Sequence, residues 1–221
     1  MAEPVRRRRS EARANRTRII DAAIGAFAAD PDASMDDVAR AAGVVRRTVY
    51  AHFPSREALV EGIADEASGA LVASFDGGVP LPARPDLAVA VLALLSWPIG
   101  DRFRMLLTFA RKELGEQRIL DRMEPARAPS IAIVEQGQRD GIFSSYLPAG
   151  LLVAMTEAVT MTLLEQANKG GVNDSGESFG VVSLVLLGVS PERATELVDE
   201  ARAWIRDAAD AQAPAAGPDR R

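Results

Sequence analysis

Apolar positions recur at steps of three and four along most of the chain, so the sequence reads as helices throughout. From Arg16 to Ala29, the residues Ile19, Ile20, Ala23, Ile24 and Phe27 outline one apolar stripe, and the Asp-Pro-Asp at 30–32 stops it. Met35, Val38, Ala39 and Ala42 give a second, shorter helix one apolar face. Ser34 is placed to cap that helix, with Asp37 three residues on as a short-armed capping box, and Gly43 stands where it should end. A third helix is predicted from about Arg46 to His52, because Pro54 prevents it from continuing. Pro54 or Ser55 then opens a fourth helix through Leu59, Ile63 and Leu71, ending near Gly77-Gly78.

Beyond residue 85, "DLAVAVLALL" (86–95) and "FRMLLTFARKEL" (103–114) are apolar enough for buried helices, and "SWPIGD" (96–101) reads as a break between them. Pro125 and Pro129 imply that the segment 118–141 is kinked or begins late. After Pro148 comes a long apolar helix and a Gly170-Gly171 turn. Its residues Leu152, Met155, Val159 and Leu163 share a stripe, while Leu151, Ala154, Ala158 and Met161 widen the apolar surface beyond one face. A last amphipathic helix runs through Leu197, Val198, Ala201 and Ile205 into an alanine- and proline-rich tail expected to be disordered.

Composition then removes whole classes of function. The chain has no cysteine and one histidine, so no thiolate nucleophile, disulfide or Cys-based zinc site is possible, and neither a metal nor a cofactor is expected. No phosphate-cradling glycine loop and no nucleophile-base pair stands out, so an enzyme is not expected. The longest apolar run, "FGVVSLVLLGV" (179–189), is about half of what a membrane-spanning helix needs, and a cytoplasmic, nucleoid-associated protein without a membrane partner is expected. The net charge of −5 hides an asymmetry. Residues 1–60 hold 11 arginines against 8 carboxylates, and the remainder holds 15 Lys or Arg against 23 carboxylates. An acidic body with a basic front end fits a polyanion-binding module joined to something else.

Two short helices around a glycine turn, buttressed by a preceding helix, form a helix-turn-helix, whose second helix enters the DNA major groove. On a short helix packed through Val49 and Phe53, the positions Arg46, Arg47, Thr48 and Ala51 can project outward. Arginine donates two hydrogen bonds to guanine O6 and N7, so Arg46 and Arg47 are candidates for base contacts, with phosphate contact as the alternative.

"RIIDAAIGAF" followed by "SMDDVARAAGVVRRTVYAHFPSREALV" resembles the DNA-binding domain of the TetR family of bacterial transcriptional regulators over about residues 13–60. The resemblance implies an all-α protein: a three-helix, homeodomain-like helix-turn-helix domain, then a helical effector-binding and dimerisation domain. It implies a homodimer on double-stranded DNA with an inverted-repeat operator, usually a repressor, released by a small apolar or weakly polar effector. Expected divisions are a flexible arginine-rich arm at 1–14, the DNA-binding domain at 15–60, the ligand and dimer domain at 61–211 and the tail at 212–221. By the same resemblance Tyr50, His52 and Arg56 reach phosphates and Arg16 lies near the backbone, which with Ser34, Val45, Arg46, Arg47 and Thr48 completes the DNA-facing set. Val45 departs from the family, which usually has a capping serine or threonine there, and a contact with a thymine methyl becomes possible.

The family layout places dimer contacts on the last long helical pair, at Leu152, Val159, Leu163, Val182 and Leu186, although the same residues could be central to the monomer core. It places an effector cavity near Trp97, Phe103, Met105, Phe109, Met123 and Met155, for which plain core is again the alternative. A DNA-binding structural or adaptor protein of the same fold, without an effector, is the other function compatible with these residues.

Overall fold

Strong helix formers and spaced capping residues divide the chain into nine helices, with no strand, among the described residues. The computed structural model describes residues 3–76, 79–171 and 176–212, with the side chains of residues 3–10, 76, 105–109, 111–112, 116, 120 and 212 outside the description. The Gly77-Gly78 turn and the tail from residue 213 also lie outside the described residues. The helices are α1 (Glu3–Ala29), α2 (Met35–Ala41), α3 (Arg46–His52), α4 (Arg56–Asp76), α5 (Pro85–Leu114), α6 (Glu116–Arg139), α7 (Ala149–Asn168), α8 (Glu177–Leu186) and α9 (Pro191–Gln212). None of the described helices is long and apolar enough to cross a membrane.

Two boundaries differ from those the periodicity suggests. Helix α1 begins at Glu3 rather than near Arg16, so the arginine run assigned to a flexible arm falls within its first turns. Pro4 is tolerated there because a first-turn proline removes no intrahelical bond, and the arginines and alanines that follow are good helix formers. Helix α5 is continuous through the expected break, with Pro98 inside it. A single proline deletes one backbone bond, and the flanking Trp97 and Phe103 are both buried, so packing holds the helix where propensity alone would end it. Helix α6, expected to be kinked or to begin late, begins at Glu116 and contains both Pro125 and Pro129.

The chain forms two compact units, Met1–Ser68 with Arg102–Met123, and Gly69–Asp101 with Glu124–Arg221. In the first, α1 packs on α2 and α2 on α3. Its core includes Ile19, Ile20, Phe27, Val38, Val49, Leu59 and Val60, all essentially inaccessible. The expected boundary at residue 60 therefore omits residues 102–123, which belong with the DNA-binding helices. In the second unit, α8 packs on α7 and on α9 around Leu152, Leu184, Leu187, Ala194, Leu197 and Ala201. Loops there are tied by side chains: the Tyr146 hydroxyl donates to Leu186 O (2.7 Å) and the Trp204 indole N–H to Pro80 O (2.7 Å).

Candidate nucleic-acid interface

The site begins with how α2 is held. Ser34 has extended backbone, its hydroxyl accepts from the Asp37 N–H (3.2 Å), and the Asp37 carboxylate accepts from the Ser34 N–H (2.9 Å) and hydroxyl (2.6 Å). These reciprocal bonds satisfy donors that the helix start would leave open. Hydrogen bonds from Ser34, with Arg40 adding a third, hold the Asp37 carboxyl below its ordinary value. A depressed carboxylate contributes stability that is full above its unfolded-state pKa and is lost as pH falls through the lower, folded value. Asp37→Asn is therefore expected to destabilise at neutral pH and to converge with the wild type in acid. Urea unfolding at several pH values checks this, and an unchanged difference at low pH would refute the assignment.

Helix α2 ends on Gly43, whose φ of +63° is open to glycine without strain. The Val44 N–H reaches back to Ala39 O (3.0 Å) and the Gly43 N–H to Arg40 O (3.2 Å), which closes the turn and aims α3. Val49 and Phe53 anchor α3 from below, and the Phe53 N–H caps it on Val49 O (2.8 Å).

The outer side of α3 carries Val45, Arg46, Arg47, Tyr50 and Ala51, while Thr48 and His52 are half-buried. The two arginines differ. The Arg46 guanidinium donates to Asp36 (2.9 Å), lies 5.1 Å from the Tyr50 ring centroid and is 3.4 Å from its hydroxyl. Arg47 has no ion pair or hydrogen bond among the described residues and is exposed. The Asp36 tether was not anticipated, because ten residues of chain separate the partners; an acidic residue in the first turn of α2 was the available signal.

Arg56, expected on a phosphate, and Arg16, expected near the DNA backbone, both make contacts within the first unit. Arg56 turns inward. It donates to the carbonyls of Ala33 and Pro31, lies 4.6 Å from the Phe27 ring centroid and is 3.7 Å from Glu113. It thereby satisfies carbonyls in the α1–α2 loop and fixes that loop to α4, in place of the phosphate contact expected of it. Arg16 stacks 5.3 Å from the Phe53 ring centroid and sits 3.8 Å from Glu66, buttressing the end of α3. The Ser34 hydroxyl is engaged in its cap. A further set went unnoticed in the sequence: Glu57, Glu61 and Asp65 on α4 meet Arg118 and Arg122 on α6, including Arg122 to Glu61 at 3.1 Å. The signal was two stripes of opposite charge, each at a four-residue spacing.

The six residues expected around an effector are distributed over both units. Phe103 and Met123 belong to the first unit, Trp97 and Met155 to the second, and the side chains of Met105 and Phe109 lie outside the described ones. Trp97 packs beneath the start of α8, its ring centroid 6.1 Å from that of Phe179. Phe103 is buried with the Arg102 guanidinium 5.1 Å from its ring centroid. Among the expected dimer residues, Leu152 is corrected: it is 0% exposed within its own chain and belongs to the second unit's core. Val159, Leu163, Val182 and Leu186 are half-buried, and the exposed large apolar residues of α7 and α8 are Leu151 and Val185.

A capped helix, a glycine turn and a short second helix with arginines on its outer side define a helix-turn-helix DNA-binding domain. The family described as "Bacterial regulatory proteins, tetR family" matches residues 19–63. TtgW of Pseudomonas putida, an uncharacterized HTH-type transcriptional regulator, is 38% identical over 115 residues, 47% of this chain and 80% of TtgW. The HTH-type transcriptional regulator SrpR of Pseudomonas putida is 27% identical over 193 residues, 82% of this chain and 86% of SrpR. The transcriptional regulator FadR from Bacillus subtilis, solved in complex with stearoyl-CoA, shares the fold with a TM-score of 0.69 at 16% identity, covering 79% of this chain and 99% of FadR. The chain belongs to the TetR family of transcriptional regulators.

Proposed function

We propose that the protein is a homodimeric repressor that holds an inverted-repeat operator through α3 of each copy and releases it when a small apolar or weakly polar effector binds the second unit. The observation that carries this reading is the outer side of α3, where Arg47 is exposed and unpaired among the described residues beside an Arg46 tethered to Asp36. An arginine free of internal partners keeps both parallel donors for guanine O6 and N7, and the second helix of this motif is the one that enters the major groove. Arg46, already charge-paired, serves orientation and phosphate contact together with Tyr50 and His52.

Dimerisation is supported by Leu151 (48% exposed) on α7 and Val185 (39% exposed) on α8, apolar side chains that a second copy would cover. The half-buried Val159, Leu163, Val182 and Leu186 would extend that surface. An effector is supported by the ligand in the FadR complex, a protein of the same fold. In this chain Trp97 and the half-buried Met155 offer apolar chemistry in the second unit.

Selection of a random double-stranded DNA library on the purified protein at physiological salt tests the reading. The expected product is an inverted repeat with half-site centres about 34 Å apart or a multiple of that distance. Folded, dimeric protein that enriches no shared motif would overturn it.

A further inference from the structure

Val45 is the most exposed large hydrophobic side chain among the described residues, at 66%. It occupies the position that opens α3, with φ −76° and ψ 148°, and makes no side-chain hydrogen bond to the helix. One helix earlier, Ser34 holds the same position on α2 with nearly the same backbone, φ −84° and ψ 164°, and closes a capping box. The backbone at 45 is therefore suited to a serine or threonine cap, and valine forgoes it. Valine at this position also leaves apolar surface in water. Neither feature stabilises the isolated chain, and both leave the methyls available for a contact outside it.

The setting restricts what could cover them. Val45 adjoins Arg46 and Arg47, so a partner here carries negative charge. Val45 has no side-chain donor or acceptor and can bond neither phosphate nor a polar base edge. The apolar group that a base pair presents in the major groove is the C5-methyl of thymine. The first residues of the second helix are those that reach base edges in a helix-turn-helix.

Resting on the reading of α3 as the recognition helix, we infer that Val45 is a specificity-determining residue that packs on the C5-methyl of one thymine in each half-site. That thymine lies within one or two base pairs of the guanine taken by Arg47, because the two residues share one helical turn. The contact reads the methyl itself, so it distinguishes thymine from uracil, a base identical in its hydrogen-bonding edge.

The test uses the operator recovered by selection, with each thymine replaced in turn by deoxyuridine and affinity read by fluorescence anisotropy at fixed salt. One position per half-site is expected to weaken wild-type binding about fourfold when its methyl is removed, and substitution in both half-sites about fifteenfold. Val45→Ser should bind the thymine and uracil operators equally at that position, while its thermal midpoint stays at or above that of the wild type because serine restores the cap. Wild-type protein indifferent to uracil at every position would overturn the inference, as would a Val45→Ser variant that keeps the methyl preference. An enriched operator without a uracil effect removes this inference alone, whereas no enriched operator removes the recognition-helix reading beneath it.

Discussion

Arg47→Ala is expected to weaken binding to the selected operator by between about 5-fold and about 150-fold per half-site, the range for losing one bidentate arginine–guanine contact. A symmetric dimer carries the change at both half-sites, so the losses multiply. Binding to random duplex DNA should fall far less, because that mode rests on phosphates, which other cations still reach. Arg46→Ala should show a smaller drop on the operator: its guanidinium is already committed to Asp36 at 2.9 Å and to the Tyr50 ring, and must give up part of that to reach DNA. Anisotropy titrations of both variants against operator and scrambled duplex at one salt concentration separate the roles. Equal loss on the two duplexes for Arg47→Ala would show that Arg47 holds only phosphate.

The contrast between the two arginines shows where sequence reasoning stops. Their placement on a short outward helix follows from local rules: the Ser34 cap, the Gly43 turn, buried Val49 and the stop before Pro54. Their difference depends on Asp36, which belongs to another helix and comes near only through the fold. Arg56 illustrates the same limit, since a cation at the start of a helix looks exposed until the carbonyls of Pro31 and Ala33 are found beside it. On α7 the difficulty is phase. Leu151 and Leu152 are both apolar, so a three-and-four pattern fits either as the inward residue, and only packing on α8 assigns Leu152 to the core and Leu151 to the surface. At Pro98 a sound local rule is outweighed by buried neighbours on both sides. Local chemistry thus located the short outward helix proposed to face DNA, while tertiary contacts decided which of its arginines is tethered.

Gly62→Ala is expected to destabilise the first unit and to weaken operator binding with it. Alanine within a helix ordinarily stabilises by up to about 1 kcal/mol relative to glycine. At Gly62, however, an added Cβ would lie 2.5 Å from the Phe53 ring and 3.3 Å from the Arg16 guanidinium. Phe53 is buried and closes α3, and Arg16 stacks on its ring, so the ring cannot yield without moving the end of the recognition helix. Overpacking of this kind costs about 1–3 kcal/mol, enough to reverse the helix-propensity gain. Gly25→Ala is the control: it sits exposed in α1 with no atom within 4 Å of an added Cβ, and the ordinary stabilisation should appear. Urea unfolding of both variants checks the opposite signs. In a Phe53→Leu background the Gly62→Ala penalty should shrink, because the smaller side chain vacates the space the methyl needs. A penalty of the same size in that background would move the clash away from Phe53 and break the link from α4 to the end of α3.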